Sequence, residues 1–321
     1  MFKRALLFAA TAVVLTPGLT AQPSGWPPSA DHLTLPVWPG AAPGQAANLP
    51  AELNATTASD YNPANRPVYR LENVSTPTIT LYKPTVQNSG AAVVVFPGGS
   101  YTMLAIDVEG TEICDWLSSE GITCILLKYR VPGTGPYPKS PAALQDAQRA
   151  MGLVRLHAAE WGVDPARIGF IGFSAGGEVA GMIETKFDAG KPDAADPIER
   201  VSSRPDFNVL VYPFYRPGSV PARGAGDAGG TITIAPNAEF PVSKDDPPVF
   251  MVCADDDPSH VAPTAKFYLE LEATHVPAEM HIYTYGTHGF GLRPTKRPGA
   301  PVESWPDRLK DWLADRSISK Q

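Results

Sequence analysis

Short apolar runs alternate with helical segments along most of this 321-residue chain, and this alternation strongly constrains the fold. The runs predicted as strands are 91–96, 122–129, 167–172, 207–212, 249–253 and 278–285. The segments predicted as helices are 107–120, 141–161, 175–183, 262–273 and 304–314. Strands joined through helices require right-handed crossovers and a mostly parallel sheet that is covered on both faces. We therefore predict an α/β fold with a doubly wound, mostly parallel sheet.

The N-terminal region has a different sequence pattern. Residues 69–74 and 78–82 alternate apolar and polar side chains, which is typical of antiparallel edge strands. Residues 22–65 are rich in Pro, Ala, Gly and Asn, so we predict an extended leader packed on a domain that spans 66–321.

The Pro-, Gly- and Asp-rich segment 215–247 is long for a connection, and we predict that it lines a site. The alternative for that segment is a disordered surface excursion.

The first 21 residues have the organisation of a secretory signal peptide. Met1–Arg4 is charged, Ala5–Leu15 is apolar, and Ala21 is a small residue suited to cleavage. The apolar run is too short to span a bilayer. We therefore predict export to the periplasm or medium, with no membrane insertion.

Charge and cysteine content exclude several other classes. The formal net charge is −7, which argues against a nucleic-acid partner. Cys114, Cys124 and Cys253 each lie in an apolar run, so we expect buried free thiols, with a Cys114–Cys124 disulfide as the alternative. No Cys/His cluster has metal-ligand spacing, and neither a metal nor a cofactor is predicted.

Gly172-Phe173-Ser174-Ala175-Gly176 is a G-x-S-x-G motif between a predicted strand and a predicted helix. This context suits a sharp turn that exposes a nucleophilic serine, and the flanking glycines allow the chain to turn tightly. The alternative is a glycine-rich packing turn with an inert serine.

A serine nucleophile needs a base and an acid, and the order Ser, Asp, His is present. His288 follows the last predicted strand and is the predicted base. The predicted acid is Asp257, with Asp256 as the alternative, because counting from the strand and counting from the next helix give different answers. His260 is a rival base, but it stands only three residues after Asp257 and no late strand precedes it, so we expect it to line the mouth of the site or to have no catalytic role.

The negative charge that develops on an attacked carbonyl oxygen needs hydrogen-bond donors to stabilise it. Pro97-Gly98-Gly99 follows the first central strand, where glycine lets backbone amides approach a substrate. We predict an oxyanion hole from the amides of Gly99 and Ala175, with Gly98 as a further candidate. A plain turn is the alternative.

Several blocks together resemble a known family. They are 33–40, 97–101, 109–110, 128–132, 172–177, 247–250 and 286–291. This combination is similar to secreted esterases of the α/β-hydrolase superfamily, in the branch of acetyl xylan and feruloyl/acetyl xylan esterase-like proteins. The resemblance implies an α/β-hydrolase fold and removal of acetyl or feruloyl groups from plant cell-wall polysaccharides. The implied partner is thus an acetylated carbohydrate. The alternatives are a general short-chain carboxylesterase or peptidase of the same fold and a non-catalytic carbohydrate-binding protein.

Two residues depart from that family, and several others are candidate substrate contacts. Glu178 and Cys253 stand where the branch has histidine, which leaves substrate preference more open than catalysis. Glu178 is either a helix N-terminal acid favoured by the dipole or a group that alters the charge of the site. Five aromatic rings have two alternative roles, stacking on sugar rings or packing in the core or rim of the site: Tyr101, Tyr212, Phe214, Tyr215 and Phe290.

Overall fold

An eight-stranded sheet organises the chain in the computed structural model. The structure describes residues 31–45, 48–57, 66–133, 141–214, 237 and 240–319. The predicted signal peptide, Tyr215 and the greater part of the predicted loop at 215–247 lie outside the described residues. Among the described helices, none combines the length and apolar character needed to cross a membrane.

The strands and helices follow the predicted alternation. The strands are β1 Leu33–Pro36, β2 Leu53–Asn54, β3 Arg70–Glu72, β4 Thr78–Tyr82, β5 Ala92–Phe96, β6 Met103–Ala105, β7 Thr123–Lys128, β8 Ile168–Phe173, β9 Phe207–Val211, β10 Val249–Ala254 and β11 Ala278–Tyr283. The α-helices are α1 Glu112–Ser119, α2 Pro141–Trp161, α3 Ala175–Thr185, α4 Pro258–Ala273 and α5 Trp305–Asp315. A π-helical turn, Asp107–Thr111, leads into α1.

The strand order is β1-β4-β7-β5-β8-β9-β10-β11. β1 and β4 pair antiparallel, as do β4 and β7, whereas the strands from β7 to β11 are parallel. The strands β2, β3 and β6 form a separate antiparallel sheet. The predicted fold class, with its antiparallel N-terminal edge, is confirmed.

Helices cover both faces of the sheet, as β9 illustrates. Successive strand residues point to opposite faces. Phe207 packs edge-on against Trp312 of α5, with ring centroids 6.4 Å apart, whereas Asn208 donates to the Ala180 carbonyl oxygen in α3 at 2.8 Å. The central strands are therefore buried along their whole length, which explains their continuous apolar sequence.

The described part of the leader packs on this domain. β1 forms one edge of the main sheet. Beyond it, the Trp38 indole N–H donates to Asp146 Oδ1 at 2.7 Å, and Arg149 Nε donates to the Val37 carbonyl oxygen at 2.7 Å. These bonds attach the leader to α2.

Three expectations are corrected. The segment 107–120 is not one helix, because it begins as the π-helical turn. Helix α4 begins at Pro258 and not at residue 262, which suits the preference of proline for the first helical turn. Cys114 and Cys124 form a disulfide between α1 and β7, so only Cys253 keeps the expected buried free thiol. Burial raises the pKa of that thiol to about 12.

Candidate active site

Ser174 lies at the turn between β8 and α3. Its φ of 51° is in the left-handed region, where a residue with a side chain is strained. The turn has no room for side chains at its flanking glycines, since a Cβ on Gly176 would lie 2.1 Å from the Phe96 carbonyl oxygen. The sharp turn presents Ser174 at the carboxyl end of β8, with 8% of the residue exposed.

His288 and Asp257 lie beside this serine at the same end of the sheet. The carboxyl ends of β8, β10 and β11 meet there because these strands are parallel. His288 Nε2 lies 2.8 Å from Ser174 Oγ, and His288 Nδ1 lies 2.7 Å from Asp257 Oδ2. With Nδ1–H donating to the carboxylate, Nε2 is left to accept the serine proton. The arrangement can remove that proton from the serine hydroxyl.

The neighbouring aspartates have different partners. Asp257 is 6% exposed, whereas Asp255 and Asp256 are exposed. Asp256 Oδ1 accepts from the amides of Gly286 at 3.0 Å and Thr287 at 2.7 Å, so this carboxylate holds the loop that carries His288. Between the two alternatives for the acid, the structure brings Asp257 to the histidine.

Hydrogen bonds keep Asp257 ionised. Burial alone raises the pKa of its carboxyl, but donation from His260 and His288 and the charges of the two rings hold that pKa well below its usual range. His260 Nδ1 lies 2.7 Å from Asp257 Oδ1, the carboxylate oxygen that His288 leaves unused. Of the two candidate bases, His288 is the one whose nitrogen contacts Ser174 Oγ.

The glycine loop after β5 lies against the serine. A Cβ on Gly98 would lie 2.9 Å from that of Ser174, so only glycine fits there. The amide of Gly98 donates to Glu109 Oε2 at 2.7 Å and is therefore already used. The amide of Ala175 opens α3, where the first N–H groups have no partner in a preceding turn. These contacts favour Gly99 and Ala175 over Gly98 as donors to a substrate oxygen.

Sequence reasoning missed the role of Glu109, although the pair Glu109-Gly110 belongs to the blocks that carry the resemblance. Glu109 lies in the π-helical turn and is 4% exposed. Its Oε1 accepts from the Tyr212 hydroxyl at 2.9 Å, and that hydroxyl oxygen accepts from the Gly291 amide at 3.1 Å. One carboxylate thus links the glycine loop, the end of β9 and the histidine loop. Burial raises the pKa of Glu109, and His288, Tyr212 and Gly98 oppose that rise.

The predicted substrate contacts are corrected in part. Tyr101 and Phe290 are 5% and 2% exposed, and the Phe290 ring packs edge-on against Tyr212 at 4.5 Å, so packing describes these rings better than sugar stacking. Phe214 is 36% exposed and lies 5.8 Å from the His260 ring. Glu178 is buried in the first turn of α3, a position common to both of its alternatives, so its role stays a prediction.

One group of ionisable side chains in the described ranges is close enough to contact a single cation. It comprises Asp257, His260 and His288, whose polar atoms lie within 4.8 Å of one another. Each imidazole already has a nitrogen bonded to the carboxylate, so hydrogen bonds account for the arrangement.

Comparisons with known proteins place this chain in a family. A family model described as BD-FAE matches residues 79–212. An acetylxylan esterase from Xylanibacter ruminicola is 36% identical over 126 residues, which cover 39% of this chain and 23% of that protein. An ethyl acetate hydrolase from Pseudomonas putida is 25% identical over 237 residues, covering 66% of this chain and 70% of that protein.

A solved structure extends the match over nearly a whole protein. The acetyl ester-xyloside bifunctional hydrolase from Caldicellulosiruptor lactoaceticus is 32% identical, with a TM-score of 0.64, and the match covers 77% of this chain and 90% of that one. The chain therefore belongs to the esterase branch of the α/β-hydrolase superfamily.

Proposed function

We propose that this chain is an exported serine carboxylesterase that removes acetyl groups, and by the same chemistry feruloyl groups, from plant cell-wall polysaccharides or their fragments. The observation that carries the chemistry is the hydrogen-bonded series from Asp257 through His288 to Ser174. A serine hydroxyl alone is a weak nucleophile, and an oriented imidazole is what activates it.

Ser174 Oγ attacks the acyl carbon while His288 Nε2 takes its proton. The imidazolium then gives that proton to the leaving alcohol, and Asp257 stabilises the cation throughout. Water, deprotonated by the same nitrogen, hydrolyses the acyl-enzyme. The amides of Gly99 and Ala175 donate to the oxyanion, and one such donor contributes about 3 kcal/mol to transition-state stabilisation.

The substrate class rests on the relatives. Two of them are named an acetylxylan esterase and an acetyl ester-xyloside bifunctional hydrolase, and both names refer to acetyl esters and to xylose-containing compounds. Export is supported by the signal-like N-terminus and by the Cys114–Cys124 disulfide, since disulfides persist mainly in oxidising compartments.

Covalent labelling tests the chemistry. A fluorophosphonate probe should label the wild type and leave Ser174→Ala unlabelled, while Ser203→Ala, in the loop before β9, serves as the control. A wild-type protein that folds but takes no label would instead indicate a carbohydrate-binding protein on a hydrolase scaffold.

Acyl-chain length and polymer substrate test the specificity. We expect kcat/KM to be highest for acetate esters and acetate to be released from acetylated xylan. A long-chain ester hydrolysed faster than its acetate counterpart would contradict the acetyl assignment.

A general short-chain carboxylesterase is the second candidate. The match to an ethyl acetate hydrolase, which covers 70% of that protein, favours it. The two candidates differ in polymer activity, because a general esterase would hydrolyse an aryl acetate and leave acetylated xylan intact.

A further inference from the structure

Two histidines share one aspartate in this site. Asp257 Oδ2 accepts from His288 Nδ1, and Asp257 Oδ1 accepts from His260 Nδ1, each at 2.7 Å. The carboxylate is only 6% exposed, so these two side chains are its main polar surroundings. The proposed mechanism uses the first bond and gives no role to the second.

The position of His260 is fixed by its surroundings. It lies in the first turn of α4, where its amide donates to the Asp257 carbonyl oxygen at 3.0 Å and its carbonyl oxygen accepts from the Thr264 hydroxyl at 2.7 Å. Its ring stacks on that of His288 with centroids 4.0 Å apart and planes 24° apart. Phe214 meets the ring edge-on. The imidazole is therefore held in the orientation that aims Nδ1 at the carboxylate.

We propose that His260 is a positioning residue that fixes the Asp257 carboxylate and, by donating to it, lowers the pH at which His288 takes up a proton. This inference rests on the proposed function, in which His288 must be neutral to act as the base. A carboxylate that accepts a second hydrogen bond has its negative charge partly satisfied, so it stabilises a neighbouring imidazolium less. The consequence is a base that stays neutral, and therefore active, at lower pH.

Other titratable groups face this pair and are unchanged in the variants proposed below. They are Asp256 on the same loop, Cys253 at the end of β10, Glu109 from the π-helical turn, and Tyr212 after β9, whose ring lies 4.9 Å from that of His288. Their influence on His288 is common to the wild type and the variants. Differences between the proteins therefore report the bond from His260.

Two substitutions separate the hydrogen bond from the ring. His260→Phe keeps an aromatic ring for the stack and removes the donor. His260→Asn removes the ring and keeps an amide nitrogen close to the position of Nδ1. In the Phe variant we expect the acid limb of kcat/KM to move to higher pH by about one unit, the size expected for loss of a hydrogen bond to a charged group. In the Asn variant most of that shift should disappear.

A direct measurement of the proton makes the test independent of turnover. The imidazole Cε1 resonance of His288, followed by NMR across pH in the Ser174→Ala background, should show the same upward shift with Phe and its reversal with Asn. Equal midpoints in wild type and Phe variant, or equal shifts in both variants, would overturn the proposal. Lack of fluorophosphonate labelling would overturn the proposed function alone. Thermal unfolding checks each fold, and His260→Leu replaces the Phe variant if that protein does not fold.

Discussion

The three consecutive aspartates after β10 have distinct environments, although their side chains are chemically identical. Asp255 is exposed, Asp256 holds the amides of Gly286 and Thr287, and Asp257 is buried between two imidazoles. Like charges this close oppose ionisation in a buried site. Pointing a single carboxylate inward avoids that repulsion.

Replacing each acid separately distinguishes their roles. We expect Asp257→Asn to lower kcat by about 10⁴-fold, because an amide neither holds the histidine tautomer nor stabilises its cation. Asp256→Asn should lower kcat far less, and Asp255→Asn is the matched exposed control. The measurement is kcat and KM with an aryl acetate. If Asp256→Asn were inactive while Asp257→Asn kept most of its activity, the acid would be Asp256.

At the scale of elements, the π-helical turn before α1 connects two loops of the site. Its Glu109 binds the Gly98 amide and the Tyr212 hydroxyl. The turn itself is attached to the histidine loop by Arg293, which is 2% exposed at its side chain and binds Asp107 at 2.7 Å. The glycine loop and the histidine loop therefore share one support.

Shortening Glu109 should disturb that support. Glu109→Ala leaves two buried donors without an acceptor, so we expect kcat to fall by up to about 10²-fold with a smaller change in KM. Glu109→Gln keeps the shape, and its amide can accept from Gly98 while donating to the Tyr212 oxygen. Steady-state kinetics on both variants, with Glu120→Ala at the far end of α1 as control, provide the comparison. Equal losses in Ala and Gln would mean that the negative charge itself is required.

Much of the site follows from local sequence patterns, and the rest depends on tertiary packing. Strand ends and the serine turn can be predicted because periodicity and glycine are local signals. The choice between Asp256 and Asp257 depended on where α4 begins, and Pro258 was the local signal for that position. The bond from His260 was not predicted, and the Cys114–Cys124 disulfide was only the alternative to free thiols, because each depends on how a helix is oriented over the sheet.

At the scale of the whole molecule, one buried acid away from the site affects stability. Glu184 in α3 is 0% exposed, and its Oε2 accepts from Asn208 in β9 at 3.0 Å. Burial raises its pKa well above the usual value of 4.5, with Asp246 adding to the rise and Asn208 and Arg204 opposing it. The folded protein therefore retains this proton at pH values where the unfolded chain has released it.

Linkage gives the sign of the resulting pH dependence. The stabilisation from Glu184 is complete below the unfolded pKa and is lost as pH rises through the raised folded pKa. Glu184→Gln has no carboxyl to ionise and does not suffer this loss. Above pH 4.5, its free energy of unfolding should therefore rise relative to that of the wild type by up to about 1.4 kcal/mol per pH unit. Urea unfolding at several pH values measures the difference, with the exposed Glu160→Gln as control. A difference independent of pH would show that Glu184 is already ionised in the folded protein.

The strand order also determines what recovered activity would report during refolding. Ser174 follows β8, whereas Asp257 and His288 follow β10 and β11, so the three side chains meet only after β9, β10 and β11 have joined β8. Helices form from local contacts, whereas this half of the sheet pairs strands that are separated by whole helices or long loops, and its site joins Ser174 and His288, which are 114 positions apart. After dilution from denaturant, far-UV circular dichroism should recover before esterase activity. The time between the two signals would measure the completion of the sheet.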